Sequence, residues 1–224
     1  MSIYNNVQKI LNSIPGNIKV IAAAKTRNLN EIRESIDAGI CFIGENYIQE
    51  LEFIGENLAD YCKKINLHVI GHLQSNKINR ALKYCDCIQT IDSIKIAEKI
   101  NQKVPDFRHN YLPVLIEVNI ANEPAKHGVK PDFLEIQSIA VAISKMENLR
   151  LEGLMTLGPF GCDAEVLRPY FQQMKSFFDQ LLHMNLPNTD IQTLSMGMSD
   201  SYNVAIEEGS NMVRLGTILY GERC

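Results

Sequence analysis

Eight short apolar runs recur along this chain, each but the last followed by a helical pattern, and that alternation limits the fold more than any other feature. The runs are Ile18–Thr26, Ile40–Ile43, Leu67–Ile70, Cys87–Ile91, Leu112–Val118, Leu149–Met155, Ile191–Leu194 and Met212–Leu215. Their β-branched content and flanking Gly, Pro and Asn residues mark them as buried strands. Apolar spacing predicts a leading helix over Ser2–Leu11, stopped by Pro15-Gly16, and a helix capped by Asn28 or Asn30 that ends at Gly39. Further helices are expected from Tyr47 to about Cys62, from a Ser75 cap to about Tyr84 and from a Ser93 cap to about Lys103. Another carries Pro131 in its first turn, and two more run over 164–184 and 200–208. Strands separated by helices pair in parallel through right-handed crossovers. Eight such units close an α/β barrel, the (β/α)8 or TIM fold. An open doubly wound sheet is the competitor, but no G-x-G-x-x-G follows the first strand. The expectation is one barrel domain over residues 1–224 with an extra N-terminal helix.

The 224 residues are enough to bury a large core, and 46% hydrophobic with 21% charged residues is ordinary globular composition. A net charge of -4 without a basic block argues against a nucleic-acid surface. No apolar run is long enough for a membrane span, and MSIYNNVQKI lacks the order of a signal peptide, so a cytoplasmic protein is expected. The cysteines at 41, 62, 85, 87, 162 and 224 lack paired metal-ligand spacing and read as reduced thiols without a catalytic role, Cys85 and Cys87 being buried at a strand start.

In such a barrel the segments after the strands meet at one mouth. The first strand narrows through Ala22-Ala23-Ala24 to Lys25, which leaves open space around an amine. An amine in apolar surroundings is more often free base, the form that condenses with an aldehyde to a Schiff base. The structural alternative is a surface lysine closing a strand. Asn46, His72, Gln74, Asp92, Asn119, Lys126 and Thr156 follow other strands into the same mouth. The last two connections read Ser195-Met196-Gly197-Met198-Ser199-Asp200 and Gly216-Thr217. Their glycines admit a ligand close to the backbone, and Ser199 stands where a helix is expected to begin, an arrangement that binds phosphate. The alternative is that Ser199 is only a cap and Gly216 only a turn. Alternation along Met212–Leu215 turns Arg214 into the mouth, where it serves either a ligand or an ion pair with Glu152 or Asp92. A reactive lysine, a phosphate cup and a buried arginine together describe a pyridoxal-phosphate site. A cation beside the ring nitrogen opposes its protonation and disfavours transaminase-type chemistry.

At these residues the chain resembles the pyridoxal-phosphate homeostasis proteins of the YggS/PROSC type, related in fold to the N-terminal barrel of alanine racemase. The shared stretches are AAAKT ending at Thr26, GENYIQE from Gly44, HVIGHLQSNK from His68, EGLMT from Glu152 and LSMGMSDSYNVAIEEGSNMVRLGT from Leu194, continuing to YGER. Ile43 and Leu67 replace the more common phenylalanine and tryptophan, both apolar exchanges. The resemblance implies that pyridoxal 5'-phosphate (PLP) is held as a Schiff base on Lys25. It also implies a phosphate seat at Ser199, Gly216 and Thr217, and Arg214 near the ring nitrogen. Asn46 and Met198 complete the expected cofactor-binding set, and no metal is expected.

Three functions compete. The first is a PLP carrier or buffer without turnover, passing cofactor to PLP-dependent apo-enzymes. The second is an amino-acid racemase, which needs an acid and a base on opposite faces of the substrate. In related racemases one of these is a tyrosine from an added C-terminal domain, and this chain stops after its eighth strand. Tyr47 is expected to pack its helix and Tyr202 to lie in a capped helix. The third is a lysine-dependent aldolase, for which Lys126 is the available second amine; Lys126 is also a candidate second PLP site. Without a pairing domain a monomer is favoured.

Overall fold

The structure is a computed structural model that describes residues 2–58, 60–61, 65–108, 110–159 and 161–222. The strands are β1 (Lys19–Ala23), β2 (Phe42–Glu45), β3 (Asn66–Val69), β4 (Cys87–Ile91), β5 (Leu112–Val118), β6 (Leu149–Thr156), β7 (Thr189–Ser195) and β8 (Met212–Leu215). They close into a parallel barrel in chain order, with Ile21 of β1 level with Arg214 of β8. The helices are α1 (Ile3–Ser13), α2 (Leu29–Asp37), α3 (Ile48–Asn57), α4 (Ile78–Leu82), α5 (Ile94–Lys103), α6 (Phe133–Ile143), α7 (Ala164–His183), α8 (Tyr202–Glu207) and α9 (Thr217–Tyr220). The (β/α)8 barrel with a leading helix is therefore observed. Among the described residues no helix is long and apolar enough to cross a membrane.

The local deviations have physical causes. Asn28 caps α2 and closes a reciprocal capping box with Glu31. Ser75 opens a 3-10 turn over Ser75–Lys77 instead of capping α4, and Ser93 gives its hydroxyl to Asp92 rather than to the backbone of α5. Pro131 precedes the α6 cap, which is Asp132. The helix expected to reach Cys62 ends at Asn57, and Cys62 itself, like Cys224, lies outside the described residues. β8 is followed by a helix after all: α9 has a single turn, too short to show a period, and packs against α1.

Most of the apolar core lies between the strands and the helices, where Val20, Ala22, Ile43, Leu67, Val69, Ile88, Ile116 and Leu154 face outward. Among the described residues, two small apolar groups lie inside the barrel, Ile21, Ile70 and Met212 on one side and Cys87, Leu115 and Met155 on the other. Gly44 is required between the first group's members, since a Cβ there would lie 2.6 Å from Ile21 and 2.8 Å from Ile70. Cys85 and Cys87 are buried, and burial pushes the Cys85 thiol up to about 12 and the Cys87 thiol up as well.

β6 shifts register against both neighbours at Gly153, whose φ of +149° no side chain adopts easily. A Cβ at this position would also collide with the Thr193 carbonyl. Gly153→Ala is expected to lower the free energy of unfolding by about 3 kcal/mol or more, read as a shifted urea midpoint with an unchanged slope.

Candidate functional site

Lys25, Asn46, Met198, Ser199, Arg214, Gly216 and Thr217 all line one cavity of about 670 Å³ at the C-terminal mouth. Arg27, Ile70, Asp200 and Ile218 join them there. Lys25 follows β1, Asn46 follows β2, Met198 and Ser199 follow β7, and Arg214 in β8 leads to Gly216 and Thr217, so the ends of four strands deliver the expected site residues to the same place. A second cavity of about 280 Å³ sits at the opposite end of the barrel, among Lys19, Asp86, Gln89 and Glu152.

Lys25 is partly exposed, so its seclusion is less than its alanine-rich approach suggests. Its ammonium lies 5.1 Å from the centre of the Tyr47 ring. Tyr47 does not pack its helix as expected; it precedes α3, is 49% exposed and overhangs the mouth. Tyr202 opens α8, partly buried against the core.

Ser199 is not the cap of α8, a position taken by Ser201. It bridges the two connections instead. The Ser199 hydroxyl oxygen accepts from Gly216 N–H at 3.1 Å and from Ile218 N–H at 3.4 Å. Arg27 packs over the Tyr220 ring and donates to the Gly221 carbonyl at 2.6 Å, so a second cation borders the same wall.

Arg214 is 4% exposed and one residue layer deeper than Gly216. It forms no ion pair with Glu152 or Asp92, the two partners the sequence offered. Its Nη1 donates to Ser195 Oγ and its Nη2 to the Thr156 carbonyl, both at 2.6 Å. Ser195 in turn donates to Gln89 Oε1 at 2.8 Å, and Gln89 Nε2 donates to His68 Nδ1 at 2.8 Å. His68 is thereby an acceptor at Nδ1, and burial holds its pKa down near 3, assisted by Lys19. The charged neighbour of Arg214 is Glu117, invisible in the sequence because it sits within an apolar strand. Burial first, then Asp92, raises the Glu117 carboxyl to about 7, while Arg214 opposes the shift. Burial lowers the guanidinium to about 10, so it stays charged at neutral pH.

The remaining mouth residues are structural or peripheral. Asn119 pins its own loop through bonds to Glu123 and Lys126, and Thr156 Oγ1 donates to the Val118 carbonyl. Lys126 donates to Glu123 at 2.6 Å and to the Gly158 carbonyl at 3.2 Å. Gln74 is exposed, and His72 meets Asp92 at the rim.

The donor set fits an anionic, aldehyde-bearing ring. It offers an amine, backbone N–H groups that meet a serine hydroxyl, and a pinned guanidinium.

The whole chain, residues 1–224, matches the family model described as alanine racemase, N-terminal domain. It is 38% identical over 210 residues to the pyridoxal phosphate homeostasis protein of Pasteurella multocida, covering 92% of this chain and 87% of that one. The human protein of the same name is 34% identical over 215 residues, covering 92% and 76%. Among solved structures, PipY of Synechococcus elongatus superposes with a TM-score of 0.90 at 28% identity, covering 98% of this chain and all of that one. The same protein with PLP bound gives 0.87 at 27%, with the same coverage. Alanine racemase of Clostridium difficile shares the fold at a TM-score of 0.76 and 19% identity, 99% of this chain covering 56% of that one. The barrel is thus of the alanine-racemase N-terminal class. Within that class the chain belongs to the pyridoxal phosphate homeostasis protein family.

One buried pair beneath the site escaped the sequence reading. Glu45 at the end of β2 is 1% exposed, and one oxygen each of Glu45 and Glu50 has no partner. Burial, then the hydrogen bond and charge of Glu50, raise the Glu45 carboxyl from 4.5 to about 9. Below 4.5 both folded and unfolded chains hold this proton; as pH rises towards 9 only the unfolded chain releases it, and stability falls. Glu45→Gln is expected to flatten that fall. Urea titrations between about pH 5 and pH 8 should show its stability advantage over the natural chain growing with pH.

Proposed function

We propose that residues 1–224 form a single barrel domain that binds pyridoxal 5'-phosphate covalently through Lys25 and serves as a carrier or buffer in intracellular PLP homeostasis. In this reading the protein works in the cytoplasm as a monomer, has no turnover of its own and passes the cofactor to PLP-dependent apo-enzymes. The observation that carries it is the convergence of Lys25, the Ser199-held N–H groups and Arg214 on one cavity. Family membership supports it, as does the PLP recorded in PipY. The cavity volume of about 670 Å³ suits a ligand of this size.

When bound, the cofactor supplies an aldehyde that captures amines and a ring that accepts electron density. The protein's part is binding and orientation. Lys25 offers the amine, and Asn46 and Met198 line the walls beside it. The Gly216 and Ile218 N–H groups would exchange Ser199 for a phosphate oxygen, with the Thr217 side chain alongside. Arg214, fixed by Ser195 and Thr156, would present a cation rather than a carboxylate to the ring nitrogen and so oppose its protonation.

Purified protein is expected to be yellow, with a visible band that disappears in Lys25→Ala. Borohydride reduction followed by peptide mapping should place the ring on Lys25; recovery on Lys126 alone would defeat the assignment. Ser199→Ala removes the hydroxyl that satisfies the Gly216 and Ile218 N–H groups in the empty site, and is expected to tighten PLP binding by roughly tenfold, the worth of one hydrogen bond, measured by equilibrium titration.

The racemase reading draws on one observation, the Tyr47 ring beside the Lys25 amine. The two readings separate by α-proton exchange on L-alanine in deuterated water. The carrier should match free cofactor, whereas Lys25-dependent exchange many-fold faster would establish a racemase.

A further inference from the structure

We propose that His72, Asp92 and His127 form a binding site for one divalent transition-metal ion of the zinc type at the rim of the barrel mouth. The three come from three successive connections, after β3, β4 and β5, so the barrel and not the local sequence brings them together. One ligand atom from each lies within 4.8 Å of the others. His72 Nδ1 is 3.3 Å from Asp92 Oδ2, and the His72 and His127 rings stack with centroids 3.7 Å apart and planes 9° from parallel. An ion bonded at about 2.0–2.2 Å needs its ligands about 3.4 Å apart, and an imidazole binds metal in its own plane, so the triad closes when the two stacked rings tilt out of parallel towards a common point.

The surroundings are already fixed, which keeps the ordering cost of binding low. Ser93 donates to Asp92 Oδ1 at 3.1 Å, leaving Oδ2 turned to His72 and holding the carboxylate as an outer partner would. Thr90 Oγ1 donates to the Gly71 carbonyl, immediately before His72. On the third connection Lys126 is tied to Glu123 and Gly158, and Val129 is bridged to β5, so both flanks of His127 are anchored. Two imidazoles with one carboxylate select zinc, nickel or cobalt over magnesium and calcium, which demand more oxygen donors. The rim is open to water, so further coordination positions stay available to solvent or to a small anionic ligand.

Calorimetric titration of the untagged full chain with zinc chloride tests this. One zinc ion per chain is expected, with no heat from magnesium chloride. His127→Ala and Asp92→Asn should each weaken zinc binding about tenfold or more. His127 is exposed, so its variant should keep the fold, checked by circular dichroism. The proposal is overturned if the natural chain takes up no zinc, or if folded His127→Ala binds it as tightly. It is equally overturned if the exposed Cys41 thiol is the true ligand, so that Cys41→Ser abolishes binding instead.

Discussion

A guanidinium buried inside a closed barrel is the constraint around which the interior is arranged. Arg214 cannot be left without partners there, because removing its hydration costs several kcal/mol unless hydrogen bonds replace it. The replacement is a line of groups crossing the barrel: Thr156 carbonyl, Arg214, Ser195, Gln89 and His68. Each member is satisfied by the next, and Glu117 supplies a neighbouring carboxyl. Substituting any one member would leave another buried group orphaned, which is why the line must be read as a unit. It also aims the guanidinium at the cavity with little freedom to swing.

Stability and chemistry are therefore assigned to different layers. The outer layer of aliphatic side chains between strands and helices supplies most of the buried apolar surface. The interior is given over to polar groups, with two small apolar clusters filling the space between them. Such a division lets the mouth vary in chemistry while the wall stays the same, as barrels of this type allow.

The fold was legible because alternation is a long-range pattern. Strands β4, β5 and β8 begin and end where the apolar runs do. β2 extends beyond its apolar run to Gly44 and Glu45, since a glycine that looks like a turn is there to admit Ile21 and Ile70. The cavity residues were legible because small, polar and cationic side chains stand out at strand ends. What the sequence hid were the burial of the Glu45–Glu50 pair, the partner of Arg214, and Ser199 reaching across to α9 instead of capping α8. The last two join groups from different strands and connections, and they exist only after the barrel closes.

The bridging role of Ser199 bears on how readily a bound anion would leave. Backbone donors stripped of an anion normally clamour for it back, making an emptied seat costly and departure slow. Here a hydroxyl steps in and quiets them, so the vacated and the filled conditions lie closer in free energy. The carrier proposed above would gain from this levelling, whereas an enzyme that must never lose its prosthetic group would be weakened by it.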